Sequence, residues 1–267
     1  MLRVLLTNDD GIGATGLQTL RRALLEVEEI ELVTIAPDAN MSATARSITT
    51  RQPLWVTEVP FDDGTRGFSC DGTPVDCVRL ASLGLVEDFE PDLVVAGINH
   101  GSNLGDDITY SGTVAAALEG IVLGVPALAV SQQSQAREMD FRLGDEFDFE
   151  TAASFTAKVV DRLDDVPLPE GTLLNINVPA GPNRGFRVTV QAKRNHVTSV
   201  SERMDPRQRP YYWIEEGLNQ WEPHDRSDYQ AVRDGYISIT PLQPDMTAHD
   251  ALGYVEALPL TDQPVAS

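Results

Sequence analysis

RVLLTNDDG, running from Arg3 to Gly11, joins a short apolar run to a cluster of small polar residues. Arg3 to Thr7 has the length and branching of a buried strand, and Asn8, Asp9, Asp10 and Gly11 are loop formers that end it. Beyond them Leu17, Leu20, Leu24 and Val27 recur at spacings of three and four, the apolar stripe of an amphipathic helix. ELVTIA, at Glu31 to Ala36, then returns as a second strand and completes a β-α-β unit. The alternation continues. PDLVVAGIN at Pro91 to Asn99 repeats the strand-then-loop pattern, Thr113 to Val122 is helical, and Ala127 to Val130 is a further strand. A helical stretch from Ala152 to Leu163 precedes the strand LLNINV at Leu173 to Val178. Strands alternating with helices predict an α/β fold of Rossmann-like type, a mainly parallel sheet with helices on both faces. Ligands of such open sheets bind outside the carboxyl ends of the strands, so the loops Asn8 to Gly11 and Asn99 to Thr113 are expected to meet there.

The last third differs. Gln191 to Asp228 is rich in Pro, Arg, Asp and aromatics (Tyr211, Tyr212, Trp213 and Trp221) and lacks a helical period. The expected organisation is therefore one domain over 1–267, divided into an α/β core at 1–190 and an extended, β-rich arm with the C-terminal segment at 191–267. Exposed aromatics on such an arm either meet another subunit or pack back on their own domain.

Composition narrows the function. The chain of 267 residues carries 41 acidic against 20 basic side chains, a formal charge of -21. A field of that sign repels nucleic acid and demands a local device, a metal ion or a helix N-terminus, to attract any anionic substrate. Of the basic residues only Lys158 and Lys193 are lysines. Few lysines beside many aspartates read as adaptation to salt, the alternative being ordinary surface acidity. Two cysteines, Cys70 and Cys77, make no disulfide framework, and the start MLRVLLTNDD has no signal-peptide pattern, so a cytoplasmic location is expected. The longest apolar stretch, Ile121 to Val130, is about half of a membrane span and contains Gly124 and Pro126; no membrane association is expected.

Adjacent carboxylates in a loop turned by Gly11 can face one point and suit a hard divalent cation, with Asn and Ser side chains available to complete the set. On the dipeptide alone a solvated turn or an N-cap explains Asp9 and Asp10 as well. GINHGSNLGDDITYSGT, at Gly97 to Thr113, adds a concentration of small residues and side-chain amides just before a helix. Ser111, Gly112 and Thr113 stand where the first helical N–H groups are unpaired, an anion site or an ordinary N-cap. Thr73-Pro74-Val75-Asp76 reads as a structural capping box.

TNDDG (Thr7 to Gly11), APDANMSA (Ala36 to Ala43), GTPVDCVRLA (Gly72 to Ala81), the stretch Pro91 to Gly120, and DMTAH (Asp245 to His249) together closely resemble the SurE family of survival-protein nucleotidases, in order from residue 2 to about 252. The resemblance implies a cytoplasmic phosphomonoesterase that uses one divalent metal ion per subunit, Mg²⁺ or Mn²⁺, to hydrolyse nucleoside 5′-monophosphates, with 3′-monophosphates as further substrates. It also implies a homodimer or homotetramer assembled through the C-terminal arm. Carried across residue by residue, the metal ligands are Asp9, Asp10, Ser42 and Asn99. Asn8, Asn103, Ser111, Gly112 and Thr113 fall in the substrate-binding part of the pattern. Asp9 and Asp10 are catalytic as well, joined by Asp245 and His249. His249 either donates a proton or hydrogen-bonds phosphate, or it braces the fold with Asp245. His100 reads as loop lining, His196 and His224 as surface residues of the arm, and Arg46 as a salt-bridge partner. Two other function classes stay open: a nucleotide-binding regulator without turnover, and a metal-dependent hydrolase of another phosphorylated metabolite. The Asp-x-Asp that aspartyl-phosphate phosphatases carry after their first strand is missing, which disfavours a covalent aspartyl-phosphate.

Overall fold

The computed structural model of the protein describes residues 1–137, 146–163, 166–195, 198–216 and 220–258. The chain opens as the apolar periodicity predicts, with β1 (Leu2–Thr7), α1 (Thr15–Leu25) and β2 (Ile30–Pro37). A hairpin of β3 (Val56–Pro60) and β4 (Arg66–Cys70) follows, then α2 (Pro74–Leu80), which Thr73 and Asp76 start with the predicted capping box. β5 (Leu93–His100), a 3₁₀ turn at Gly105–Thr109 and α3 (Gly112–Val122) carry the long polar motif. β6 (Ala127–Gln132), α4 (Glu150–Leu163), β7 (Leu173–Val178) and β8 (Phe186–Val188) complete the first two thirds. Beyond them lie β9 (Arg194–Asn195), β10 (Thr198–Met204), β11 (Pro210–Glu216), β12 (Gln220–Trp221), α5 (Asp228–Arg233), β13 (Ile237–Leu242) and α6 (Leu252–Glu256).

Among the described residues nine strands form one sheet, in the order β3-β4-β2-β1-β5-β6-β7-β13-β8. The six from β4 to β7 in this order are parallel; β3 and β13 run against their neighbours β4 and β7. Alternation along the central strands feeds two cores. Val4, Leu6, Val95, Leu128 and Val130 pack with Leu17, Leu20 and Leu24 of α1 and Ala152 and Val160 of α4. Leu5, Val94, Ala96, Ala127 and Ala129 pack with Cys77 and Val78 of α2 and Val114 and Ala117 of α3 on the other face.

From β1 the chain builds outward to β2 and β4, then crosses back to β5 on the other side of β1, so the strand order reverses between β1 and β5. Their carboxyl ends flank the crevice where open sheets bind ligands. The β1-α1-β2 and β5-α3-β6 units move toward opposite edges over opposite faces and so share one hand, right-handed by the general rule. β6-α4-β7 moves the same way as β5-α3-β6 but on the face of α1, which gives it the opposite hand. This crossover lays Phe147 and Phe149 against His100 at the end of β5.

The segment after residue 191 is only partly an arm. β13 inserts between β7 and β8 in the sheet, so beyond residue 190 the chain returns to the sheet through α5 and β13. What extends is the hairpin β10–β11, whose strands pair with each other alone among the described residues and leave Val200, Tyr212, Trp213 and Ile214 exposed. No helix among the described residues is long and apolar enough to cross a membrane.

The β5–β6 ladder shifts register between Ala96 and Asn99. Gly97 makes this possible: its φ is +141° and a Cβ there would stand 2.4 Å from the carbonyl oxygen of Val130. Gly97→Ala is expected to cost about 2–4 kcal/mol, from left-handed backbone strain and overpacking. The midpoint of urea unfolding measures it, and an unchanged midpoint would contradict this account of the shifted register.

Candidate functional site

The site begins where β1 ends. Asn8 is fully buried, and its amide closes the turn by donating to the Gly11 carbonyl at 3.0 Å and accepting from the Gly11 N–H at 3.2 Å. This Asx-type brace turns the two following carboxylates inward. Asp9 meets the N-terminus of α3, where its Oδ1 accepts a hydrogen bond from the Thr113 hydroxyl. Gly112 permits the approach, since a Cβ there would lie 2.7 Å from the Cβ of Asp9. The dipole and unpaired N–H groups of the helix start favour a negative charge at this point. Ser111 is the N-cap, its Oγ accepting from the Val114 N–H at 3.1 Å. Asp10 accepts the backbone N–H of His100 on Oδ2 at 3.2 Å, while its buried Oδ1 has no hydrogen-bond partner. Burial pushes both carboxyl pKa values up to about 6, and for Asp9 the charge of Asp10 adds to the effect.

The remaining loops converge on this pair. The Met41 N–H donates to the Asp9 carbonyl at 2.7 Å, which brings Ser42 alongside. Asn99 spends its amide nitrogen on the Gly101 carbonyl at 2.9 Å and keeps its side-chain oxygen for the cavity. Asp9, Ser42, Asn99, Asn103 and Ser111 thus line one cavity of about 120 Å³, with His100, Asp107 and Tyr110 completing the wall. Two larger grooves, one of about 500 Å³ between α1 and α4 and one of about 480 Å³ between α1 and the β3–β4 hairpin, hold acids and bases on solvated surfaces, none of them a buried group lacking a partner.

Of the residues expected to contact substrate, Asn103 and Ser111 reach the cavity, whereas Asn8, Gly112 and Thr113 act on the turn and on Asp9. Asp245 and His249 do pair, at 3.0 Å, but both are exposed, in the segment after β13, and neither lines the cavity. His224 is exposed, Arg46 binds Glu119 at 3.0 Å, and His196 lies outside the described residues.

Sequence reasoning passed over the supports. Asn103 donates its side-chain nitrogen to Ser131 at 2.8 Å and its backbone N–H to Asn177 at 2.8 Å, and its carbonyl accepts from Asn175 and Asn177. Asparagines two apart in the otherwise apolar LLNINV share one strand face, and that was the available signal. Asp228 accepts the Gly105 and Ala192 N–H groups at 2.9 Å each, and buried Arg194 meets buried Asp107 at 2.5 Å, tying the root of the arm to the 3₁₀ turn. His100 is more than loop lining: its ring stacks on Phe147 and Phe149, and its Nε2 accepts from the Gly16 N–H at 3.4 Å.

The donor set is all oxygen. No group of three or more His, Cys, Asp or Glu gathers among the described residues; Asp9, Ser42 and Asn99 line the cavity, and Asp10, next to Asp9, stands outside that lining against the His100 N–H. That set fits a hard ion such as Mg²⁺ or Mn²⁺, and the unpartnered Oδ1 of Asp10 is a buried acceptor that such an ion would satisfy.

A family model described as survival protein SurE matches residues 4–198. A curated protein of Rubrobacter xylanophilus named 5′-nucleotidase SurE is 46% identical over 96% of this chain and 97% of its own. One of the same name from Geotalea uraniireducens is 41% identical over 97% of this chain and 100% of its own. The crystal structure of the SurE protein from Aquifex aeolicus superposes with a TM-score of 0.79 at 37% identity, over 95% of this chain and 98% of that one. Agreement of sequence and fold over nearly the full length establishes that the chain belongs to the SurE family.

Proposed function

We propose that the protein is a divalent-metal-dependent phosphomonoesterase that hydrolyses nucleoside 5′-monophosphates, and 3′-monophosphates besides, to nucleoside and phosphate. The observation that carries this reading is the buried pair Asp9 and Asp10, held with raised pKa values beside a small cavity walled by neutral oxygen and amide donors. Its relatives' shared name, 5′-nucleotidase SurE, supports the substrate class. Asp9, Asp10, Ser42 and Asn99 would hold one Mg²⁺ or Mn²⁺ per subunit, which when bound supplies Lewis-acid polarisation of a phosphoryl oxygen and a more acidic water.

The chain's own groups do the rest. Asn103, fixed by Ser131, Asn175 and Asn177, presents a positioned amide to the phosphoryl group, and Ser111 adds its polar rim at the helix start. One of the two carboxylates, Asp9 or Asp10, also orients the attacking water. Thr113 and Gly112 fix the carboxylate of Asp9, so their contribution is to geometry. Asp10→Asn is expected to lower phosphate release from nucleoside monophosphates by about 100-fold or more, as losing a cation's anchor does; chelator should do the same to the unaltered enzyme. Full turnover in either would exclude this mechanism.

The pH dependence has a definite sign. A carboxyl raised to about 6 in the folded chain contributes stability that is complete below its unfolded value near 4 and lost as pH rises through 6. A cation competes with those protons, so the melting-temperature gain on adding Mn²⁺ should be large at pH 7.5 and small at pH 5. Asp10→Asn should flatten the difference; a gain independent of pH would remove the carboxylates from the cation site.

The hairpin β10–β11 is the surface for self-association into a homodimer or homotetramer, since an isolated two-stranded ribbon with an apolar face is marginal in water. Truncation after Ala192 would also remove β13 from the sheet, so point changes are the cleaner probe. Val200→Ser with Ile214→Ser, which face each other across the ladder, should lower the sedimentation mass to that of a single chain. An unchanged mass would assign the hairpin another role.

A further inference from the structure

The cavity beside Asp9 is too small for the substrate that the proposed function requires. At about 120 Å³ it holds a phosphoryl group, whereas enclosing a ligand the size of a nucleotide takes at least about 300 Å³. A bound nucleoside must therefore lie across the mouth. Two sides of that mouth are defined. One is the exposed loop at Ser42 and Ala43, whose small side chains leave room. The other is Tyr110, a cavity-lining aromatic that is 54% exposed.

The backbone at Tyr110 is firmly held although its ring faces solvent. Its N–H donates to the Asp107 carbonyl at 2.9 Å, its own carbonyl accepts the Ala45 N–H at 3.2 Å, and Ser111 next to it caps α3. A large ring is thus presented on a fixed stem, one residue from the helix start and across from a rim of alanine. Aromatic faces in this setting stack planar bases whatever their hydrogen-bonding edges, because every base has a π-face.

Resting on the phosphomonoesterase reading above, we infer that Tyr110 is the stacking platform for the nucleobase, a specificity-determining residue that selects phosphoesters carrying a planar aromatic group and discriminates weakly among bases. Other walls of the cavity are polar or deeply buried, so the phosphoryl group is recognised inside and the base outside, by separate elements of one short segment.

The test compares KM for adenosine and cytidine 5′-monophosphates with the inhibition constant of ribose 5-phosphate, which has the phosphoryl and sugar parts but no base. Stacking of this kind corresponds to a loss of about 5- to 100-fold on removal of the ring. Tyr110→Ala should raise KM for both nucleotides by that factor while the ribose 5-phosphate constant stays within twofold, and Tyr110→Phe and Tyr110→Trp should restore nucleotide KM. Circular dichroism of each variant checks the fold, and the Phe variant, which keeps the ring, provides the reading if the Ala variant does not fold. Unchanged nucleotide KM in Tyr110→Ala, or an equal rise for ribose 5-phosphate, would overturn the platform. Absence of metal-dependent phosphate release by the unaltered enzyme would instead overturn the reading on which it rests.

Discussion

Two adjacent carboxylates buried at the end of a central strand are the constraint to which the surrounding structure answers. Withdrawing one carboxylate from water costs several kcal/mol, and a second beside it adds repulsion. The fold concentrates its compensations there. The start of α3 faces Asp9, the Thr113 hydroxyl donates to it, the His100 backbone N–H donates to Asp10, and the Asn8 amide locks the turn that carries both. The start of α3, the Thr113 hydroxyl and the His100 N–H would not be in reach unless β5 lay beside β1, so the reversal of strand order is what assembles the site. Compensation is incomplete, as the raised pKa values record and as does the Oδ1 of Asp10, which accepts no hydrogen bond and has the His100 Nδ1 no nearer than 3.8 Å. A structural role alone gives no reason to keep an acid so placed.

The central elements were legible because their apolar residues follow one period. β1, β2, β5 and β6 are apolar on both faces and β7 on one, and α1 and α4 carry three-four stripes, so their residues report burial directly. β13 was not legible for a physical reason. Ser238 and Thr240 are buried but polar, meeting the Thr189 hydroxyl at 2.8 Å each, so its inward face reads as loop. Within the site, Asp9, Ser42, Asn99, Asn103 and Ser111 were legible as a resemblance and do share a cavity. The division of labour was hidden, because only coordinates show that Thr113 and Gly112 serve Asp9 and that Asn8 serves Gly11. His100 does line the cavity, but its partners Phe147 and Phe149 were hidden, since they arrive by the crossover of opposite hand, which local sequence does not encode.

The polar loop between β5 and α3 has few apolar anchors, and its rigidity comes from hydrogen bonds to distant strands. Asn175, Asn177 and Ser131 fix Asn103 from beneath, and Asp228 fixes Gly105 from the C-terminal third. The buried pair Arg194–Asp107 belongs to the same scaffold. Such pairs are weak contributors to net stability, and removing one partner is costly, so their effect is to specify one arrangement of the loop against others. The root of the arm is in this way part of the active-site scaffold, while the strands of the hairpin beyond it pair only with each other among the described residues.

Electrostatics would tie the proposed cation to the substrate. A chain of formal charge -21 must admit a phosphomonoester to a cavity whose wall includes Asp9 and Asp107 and has no Lys or Arg. Arg194 stands behind that wall already matched to Asp107, and burial holds the His100 ring toward its neutral form, so neither supplies a free positive charge. Each carboxylate about 4 Å from a phosphate charge would oppose it by about 4 kcal/mol at the effective dielectric of such sites, more than one amide or one helix start returns. Phosphate therefore enters only when something offsets Asp9 and Asp10, and the same two groups whose burial leaves them needing a counter-charge are those that would hold it. On the proposed reading, binding of ion and phosphoester at this site would be a single linked event, each raising the affinity for the other.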